Sequence, residues 1–208
     1  MRKKFFNIAG PCHPDRHYML PAQDRCRGIR GLIDQEQYFV MHAARQSGKT
    51  TFLLDLAQEL NASGEYYALY CSLDSVQKIS NPDEGIPAVI AAIRSTVRYC
   101  PNLSGKSFAS DQNLDDYTVV LKDSLADFCA ELERPLVILF DEADCLSGST
   151  LISFLRQLRT GYVNRYQIPF VHSVGLVGMR NIRDYRARIR RTGRVSAAQV
   201  LSTQSEKL

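Results

Sequence analysis

The segment Ala43-Ala44-Arg45-Gln46-Ser47-Gly48-Lys49-Thr50, followed by Thr51, combines the residue types that hold a polyphosphate. It fits the pattern G-x-x-x-x-G-K-[ST] at every defined position except the first, where Ala43 stands in place of glycine. The chemistry requires a compact turn whose backbone N–H groups point inward at phosphate oxygens, at the positive end of a helix. In such a turn Gly48 supplies backbone freedom, Lys49 a mobile charge for the β- and γ-phosphates, and Thr50 a hydroxyl for Mg²⁺. An alanine at position 43 costs little provided its φ is negative. A chance Ser-Gly-Lys-Thr ahead of a helix is the competing reading, and a strand before the loop with a helix after it argues against chance.

A second group of chemical side chains closes the run Leu136-Val137-Ile138-Leu139-Phe140-Asp141-Glu142. Five apolar residues in succession suit a strand buried at the centre of a parallel sheet. Asp141 then sits at the carboxyl edge of that sheet, where α/β proteins bind ligands. In P-loop NTPases an aspartate so placed holds Mg²⁺, usually through water, and Glu142 is suited to orient and deprotonate an attacking water. Two acids that merely cap the next helix are the bland alternative, which loses weight once the phosphate loop is considered with them.

The elements that must position these groups follow from periodicity. Gln37–His42 reads as a short buried strand ending at the small-residue loop. Phe52, Leu53, Leu56, Ala57 and Leu60 predict a helix over 50–60, stopped by Asn61 to Gly64. A second strand is expected at 66–71, and a helix over 87–99 with Pro87 in its first turn. Residues 100–113 read as a loop. Leu114, Tyr117, Leu121, Leu125, Phe128 and Leu132 predict one long helix; Leu151, Ile152, Leu155, Leu158 and Tyr162 another, before a fourth strand over 170–178. This βα alternation predicts a parallel sheet with helices on both faces. The expected organisation is an approach segment over 1–36, a core over 37–186 and a basic, poorly ordered tail over 187–208.

The combination resembles prokaryotic P-loop ATPases of the AAA type, in the branch close to the STAND and archaeal ATPases. Besides the two motifs, the segments 6–11 (FNIAGP), 17–21 (HYMLP) and 177–184 (VGMRNIRD) are similar to that family in order and spacing, so the resemblance spans roughly residues 5 to 186. It implies a P-loop NTPase three-layer sandwich with a mostly parallel sheet, binding ATP and Mg²⁺ through Lys49, Thr50, Asp141 and Glu142. It further implies that the segment around 7–21 lies near the adenine and that Arg180, or Asn181 by one residue, acts as a polar sensor of the γ-phosphate. A fifth strand and a helical lid would follow Arg180. Residues 192–208 are too short for both, so the resemblance implies a truncated or frameshifted copy with the lid missing. Arg156, Arg159 and Arg165 are candidates for an arginine finger acting across a homo-oligomer. The letters Asp141-Glu142-Ala143-Asp144 also spell a helicase box, but no Ser-Ala-Thr tripeptide follows it.

Composition narrows the alternatives. Of 208 residues, 45% are hydrophobic, enough to fold and exclude a disordered chain. Apolar runs fall far short of the ~20 residues of a spanning helix, and Met1–Phe6 lacks a signal-peptide core. A cytoplasmic protein is expected. The six cysteines have no C-x-x-C pair, and Cys12-His13 is a poor metal pair, so reduced thiols are expected. From Arg180 onward, eight basic residues face only Asp184 and Glu206, a net of +6 against +4 for the whole chain. The basic character therefore belongs to one end, and leaves two readings open. One is an ATP-hydrolysing switch or motor with a protein partner; the other is a non-catalytic nucleotide-binding or DNA-associated module whose tail contacts phosphates. The absence of N-K-x-D leaves the preference for ATP over GTP to the resemblance.

Overall fold

The computed structural model describes residues 3–8, 10–26, 28–109 and 116–178. Two short helices, α1 (Ala22–Arg25) and α2 (Ile29–Asp34), precede the first strand. Then follow β1 (Phe39–His42), α3 (Lys49–Ser63), β2 (Tyr67–Ser72), α4 (Pro82–Tyr99), α5 (Val120–Ala130), β3 (Leu136–Asp141), α6 (Gly148–Asn164) and β4 (Ser173–Gly178). Arg180, Asn181, the tail and Leu114 lie outside the described residues.

The strands order as β1-β4-β3-β2, and all three pairings are parallel. From β1 the chain crosses to the far edge at β2 and then steps back through β3 to β4. Right-handed crossovers in opposite directions must use opposite faces of the sheet, and the packing agrees. Ala68, Val137, Leu139 and Val177 face Phe52, Leu53, Leu56 and Leu60 of α3, with Ala22 and Ile33 completing that layer. Leu69, Ile138, Phe140, Val174 and Leu176 face α4, α5 and α6 through Ile90, Ile93, Leu125, Phe128, Phe154 and Leu158. The alternation along each strand divides two cores, and each fully buried aliphatic or aromatic side chain adds about 1.5–3 kcal/mol. This all-parallel α/β arrangement is compatible with the expected three-layer sandwich.

Several boundaries differ from the expectation for physical reasons. α4 begins five residues earlier than Pro87: Asn81 accepts from the Asp83 N–H, and Pro82 occupies the first position, where no N–H is needed. Pro87 is therefore inside the helix, and the carbonyl that loses its donor belongs to exposed Asp83, so solvent can replace the bond. α5 begins only at Val120, because residues 116–119 form a turn closed by Asp116 C=O. That turn preserves the one-sided spacing: Tyr117 still packs on the core, and its carbonyl accepts from Gln157 Nε2 at 2.8 Å. Among the described residues, no helix is long and apolar enough to cross a membrane.

Candidate functional site

Because all four strands run the same way, residues 43–50, Asp141 and the turn after β2 meet at one carboxyl edge of the sheet. β1 ends at His42, Ala43 N–H donates to Gly178 C=O at 3.3 Å, and the chain turns through 45–48 before α3 starts at Lys49. Gly48 has φ 79°, a left-handed conformation natural to glycine. Gln46 is also left-handed, at φ 57°. Ala43 has no positive φ, so alanine fits where the pattern has glycine.

Two cations engage the carbonyls of the loop. Lys49 Nζ donates to Ala43 O at 3.0 Å and Ala44 O at 2.8 Å. Arg25, from α1, donates to Ser47 O at 2.9 Å and Gly48 O at 3.2 Å. The loop leads into the N-terminus of α3 at Lys49, and a helix N-terminus favours an anion. Lys49 is a mobile donor; the rigid Arg25 fork is anchored through its own helix, since Ala22 N–H donates to Asp55 Oδ2 of α3 at 2.6 Å. Cys12 N–H donates to Thr51 Oγ1 at 3.0 Å, bringing the approach segment onto the first turn of α3.

Thr50 Oγ1 donates to Asp141 Oδ2 at 2.7 Å, joining residues 91 apart in sequence. Tyr70, on β2, donates its hydroxyl to the same oxygen at 3.1 Å, while Glu142 N–H donates to Oδ1 at 2.9 Å. Asp141 is 2% exposed, and among the described residues no cation lies within ion-pair distance of it. A buried carboxylate without a counter-charge is costly, and its oxygens together with a threonine hydroxyl form a hard donor set. Mg²⁺ fits that chemistry.

Glu142 takes a left-handed backbone at φ 56° and turns its carboxyl toward the end of β2. Partial desolvation of the exposed Glu142 side chain, then the charges of Asp74 and Asp141, hold its pKa above the ordinary glutamate range, which suits a group that takes a proton. Asp74, Glu142 and Cys145 place one ligand atom each within 4.8 Å. Burial, with the neighbouring acids, pushes the Cys145 thiol up to about 11, so it stays protonated at neutral pH. Tyr70 is likewise pushed up, by burial first and Asp141 second, and remains a donor.

The structure thus brings together residues 43–51, Asp141 and Glu142, and Arg180 lies outside the described residues. Arg165 is at the other end of the sheet, where it donates to Glu36 at 3.1 Å and to Tyr162 O at 2.7 Å. Arg156 and Arg159 remain on the exposed face of α6. Sequence reasoning missed Arg25 and Tyr70. Arg25 sits in a four-residue helix without periodicity, and Tyr70 reads as an ordinary strand residue; only the assembled sheet, in which Ser72 pairs with Asp141, brings it to the site. A scan against models of protein families finds no match to the chain, and a search of curated proteins finds no similar sequence.

Proposed function

We propose that the chain binds ATP with Mg²⁺ on the loop of residues 43–51 and hydrolyses it, acting as a nucleotide-driven switch of the AAA-like P-loop type that its motifs resemble. The observation that carries this reading is the 2.7 Å hydrogen bond from Thr50 to Asp141. A chance Ser-Gly-Lys-Thr and an unrelated helix cap have no reason to meet; a metal-nucleotide site needs both in one place.

In this reading inward N–H groups of residues 44–50 take the phosphate oxygens, and Lys49 leaves the carbonyls of Ala43 and Ala44 to reach the β- and γ-phosphates. Mg²⁺, when bound, neutralises charge on those phosphates. Thr50 and Asp141 hold it. Glu142 accepts a proton from water; the water oxygen bonds to the γ-phosphorus as the bond from phosphorus to the bridging oxygen breaks, leaving ADP and phosphate. Desolvation, then the charges of Asp74 and Asp141, make the Glu142 carboxyl more basic, which favours that proton transfer. Arg180, and the partner or process moved by hydrolysis, belong to the same proposal.

Phosphate release and nucleotide binding by the wild type and Glu142→Gln test it. Binding should survive the substitution while turnover falls by about 10²-fold or more. Negligible turnover in both proteins, or equal turnover, would contradict the hydrolytic role.

A further inference from the structure

Tyr70 is in β2, the edge strand, where sequence alone gives it no task beyond packing. Its neighbour two residues on, Ser72, is in register with Asp141, so the phenol reaches along the sheet edge to the carboxylate. Asp141 is then held from three elements. The hydroxyl of Thr50 on α3 and the hydroxyl of Tyr70 on β2 both donate to Oδ2, at 2.7 and 3.1 Å. The N–H of Glu142, in the turn after β3, donates to Oδ1 at 2.9 Å. A carboxylate oxygen has two in-plane lone pairs, and these two hydroxyls use both on Oδ2. Without the phenol, Oδ2 keeps one side-chain donor, the Thr50 hydroxyl in the first turn of α3, and the carboxylate plane loses its lateral restraint.

We propose that Tyr70 is a positioning residue for metal-dependent nucleotide binding: it fixes the plane of the Asp141 carboxylate so that Oδ2 stays turned to the Thr50 hydroxyl. The proposal rests on the reading of Thr50 and Asp141 as the metal-holding pair. Partners of this kind orient ligating groups, and losing one typically lowers metal affinity by about 10–100-fold. Within the loop the phenol meets only the Thr50 hydroxyl, and no described hydrogen bond joins it to Lys49 or to the backbone of residues 43–49, so nucleotide binding without metal should not depend on the phenol.

Equilibrium binding of a fluorescent ATP analogue, measured in Mg²⁺ and in EDTA for the wild type, Tyr70→Phe and Tyr67→Phe, tests this. Tyr67 is on the same strand but donates to Glu133 at the opposite end, at 3.2 Å, and serves as the control for removing a strand phenol. For Tyr70→Phe the affinity in EDTA should match the wild type, while the gain in affinity brought by Mg²⁺ shrinks by about tenfold or more. Tyr67→Phe should match the wild type in both conditions. An unchanged Mg²⁺ gain in Tyr70→Phe overturns the assignment, as does an equal loss in Mg²⁺ and EDTA, which marks a merely structural residue. A wild type that binds the analogue with no Mg²⁺ gain overturns the metal-nucleotide reading itself, and Tyr70's role with it.

Discussion

Thr50→Val removes one hydroxyl while keeping a β-branched side chain at the start of α3. What is lost is a 2.7 Å donor to a carboxylate that is 2% exposed. A hydrogen bond to a charged group contributes about 1.5–3 kcal/mol. Asp141 keeps the Tyr70 hydroxyl and the Glu142 N–H, so the lower part of that range applies, about 1.5–2 kcal/mol. In a chain of this size each kcal/mol shifts Tm by about 2–4 °C, so the variant should melt about 5 °C below the wild type. The assay is a far-UV circular dichroism melt in EDTA with no nucleotide, so that no ligand masks the difference. Thr160→Val is the control: its hydroxyl bonds only the Arg156 carbonyl on the exposed face of α6, and its stability should change by less than about 0.5 kcal/mol. If Thr50→Val melts within about 1 °C of the wild type, the contact between loop and strand contributes nothing in solution, and the energetic reasoning fails.

Other substitutions separate the parts of the site. Arg25→Ala should weaken nucleotide binding about tenfold, equally with and without Mg²⁺, because it removes the bonds that brace the Ser47 and Gly48 carbonyls of the loop but leaves the metal pair intact; calorimetric titration in both conditions checks this. Glu142 has a folded pKa above its unfolded value, so its stabilising contribution is complete below the ordinary glutamate range and is lost as pH rises through the raised value. Glu142→Gln should therefore melt above the wild type at pH 8, and melts across pH should show the advantage vanishing near about pH 4. Gly85→Ala should destabilise the fold by about 1–3 kcal/mol in urea unfolding, because a β-carbon there meets the Thr150 side chain where α4 crosses α6.

The loop before α3 and the strand β3 are legible in the sequence because each combines a distinctive residue set with a distinctive neighbour. LVILF can hardly be other than a buried strand, and Ser-Gly-Lys-Thr marks the transition from loop to α3 through its glycine and its first helical residues. Expectation failed where two signals competed. Pro87 drew the start of α4 to itself, although Asn81-Pro82-Asp83 is the stronger start signal, with a capping side chain and a proline at the first position. Tyr117 kept the spacing of a helix face while sitting in a turn, since a turn of four residues advances the chain about as far around as a helical turn does. Arg25 and Tyr70 were invisible for another reason. Their roles depend on contacts made after the sheet assembles, with Ser47 and Gly48 in one case and Asp141 in the other, and no local pattern encodes such distant partners.

The central claim is that residues 43–51 form a nucleotide site in which Lys49 supplies the phosphate charge. Isothermal titration of Mg-ATP into the wild type and Lys49→Ala tests it most directly. The expected result is saturable one-site binding by the wild type and at least about a tenfold loss of affinity in the variant, as befits a charge-assisted contact worth 1.4 kcal/mol or more, roughly. No saturable binding by the wild type, or equal affinity in the two proteins, would contradict it.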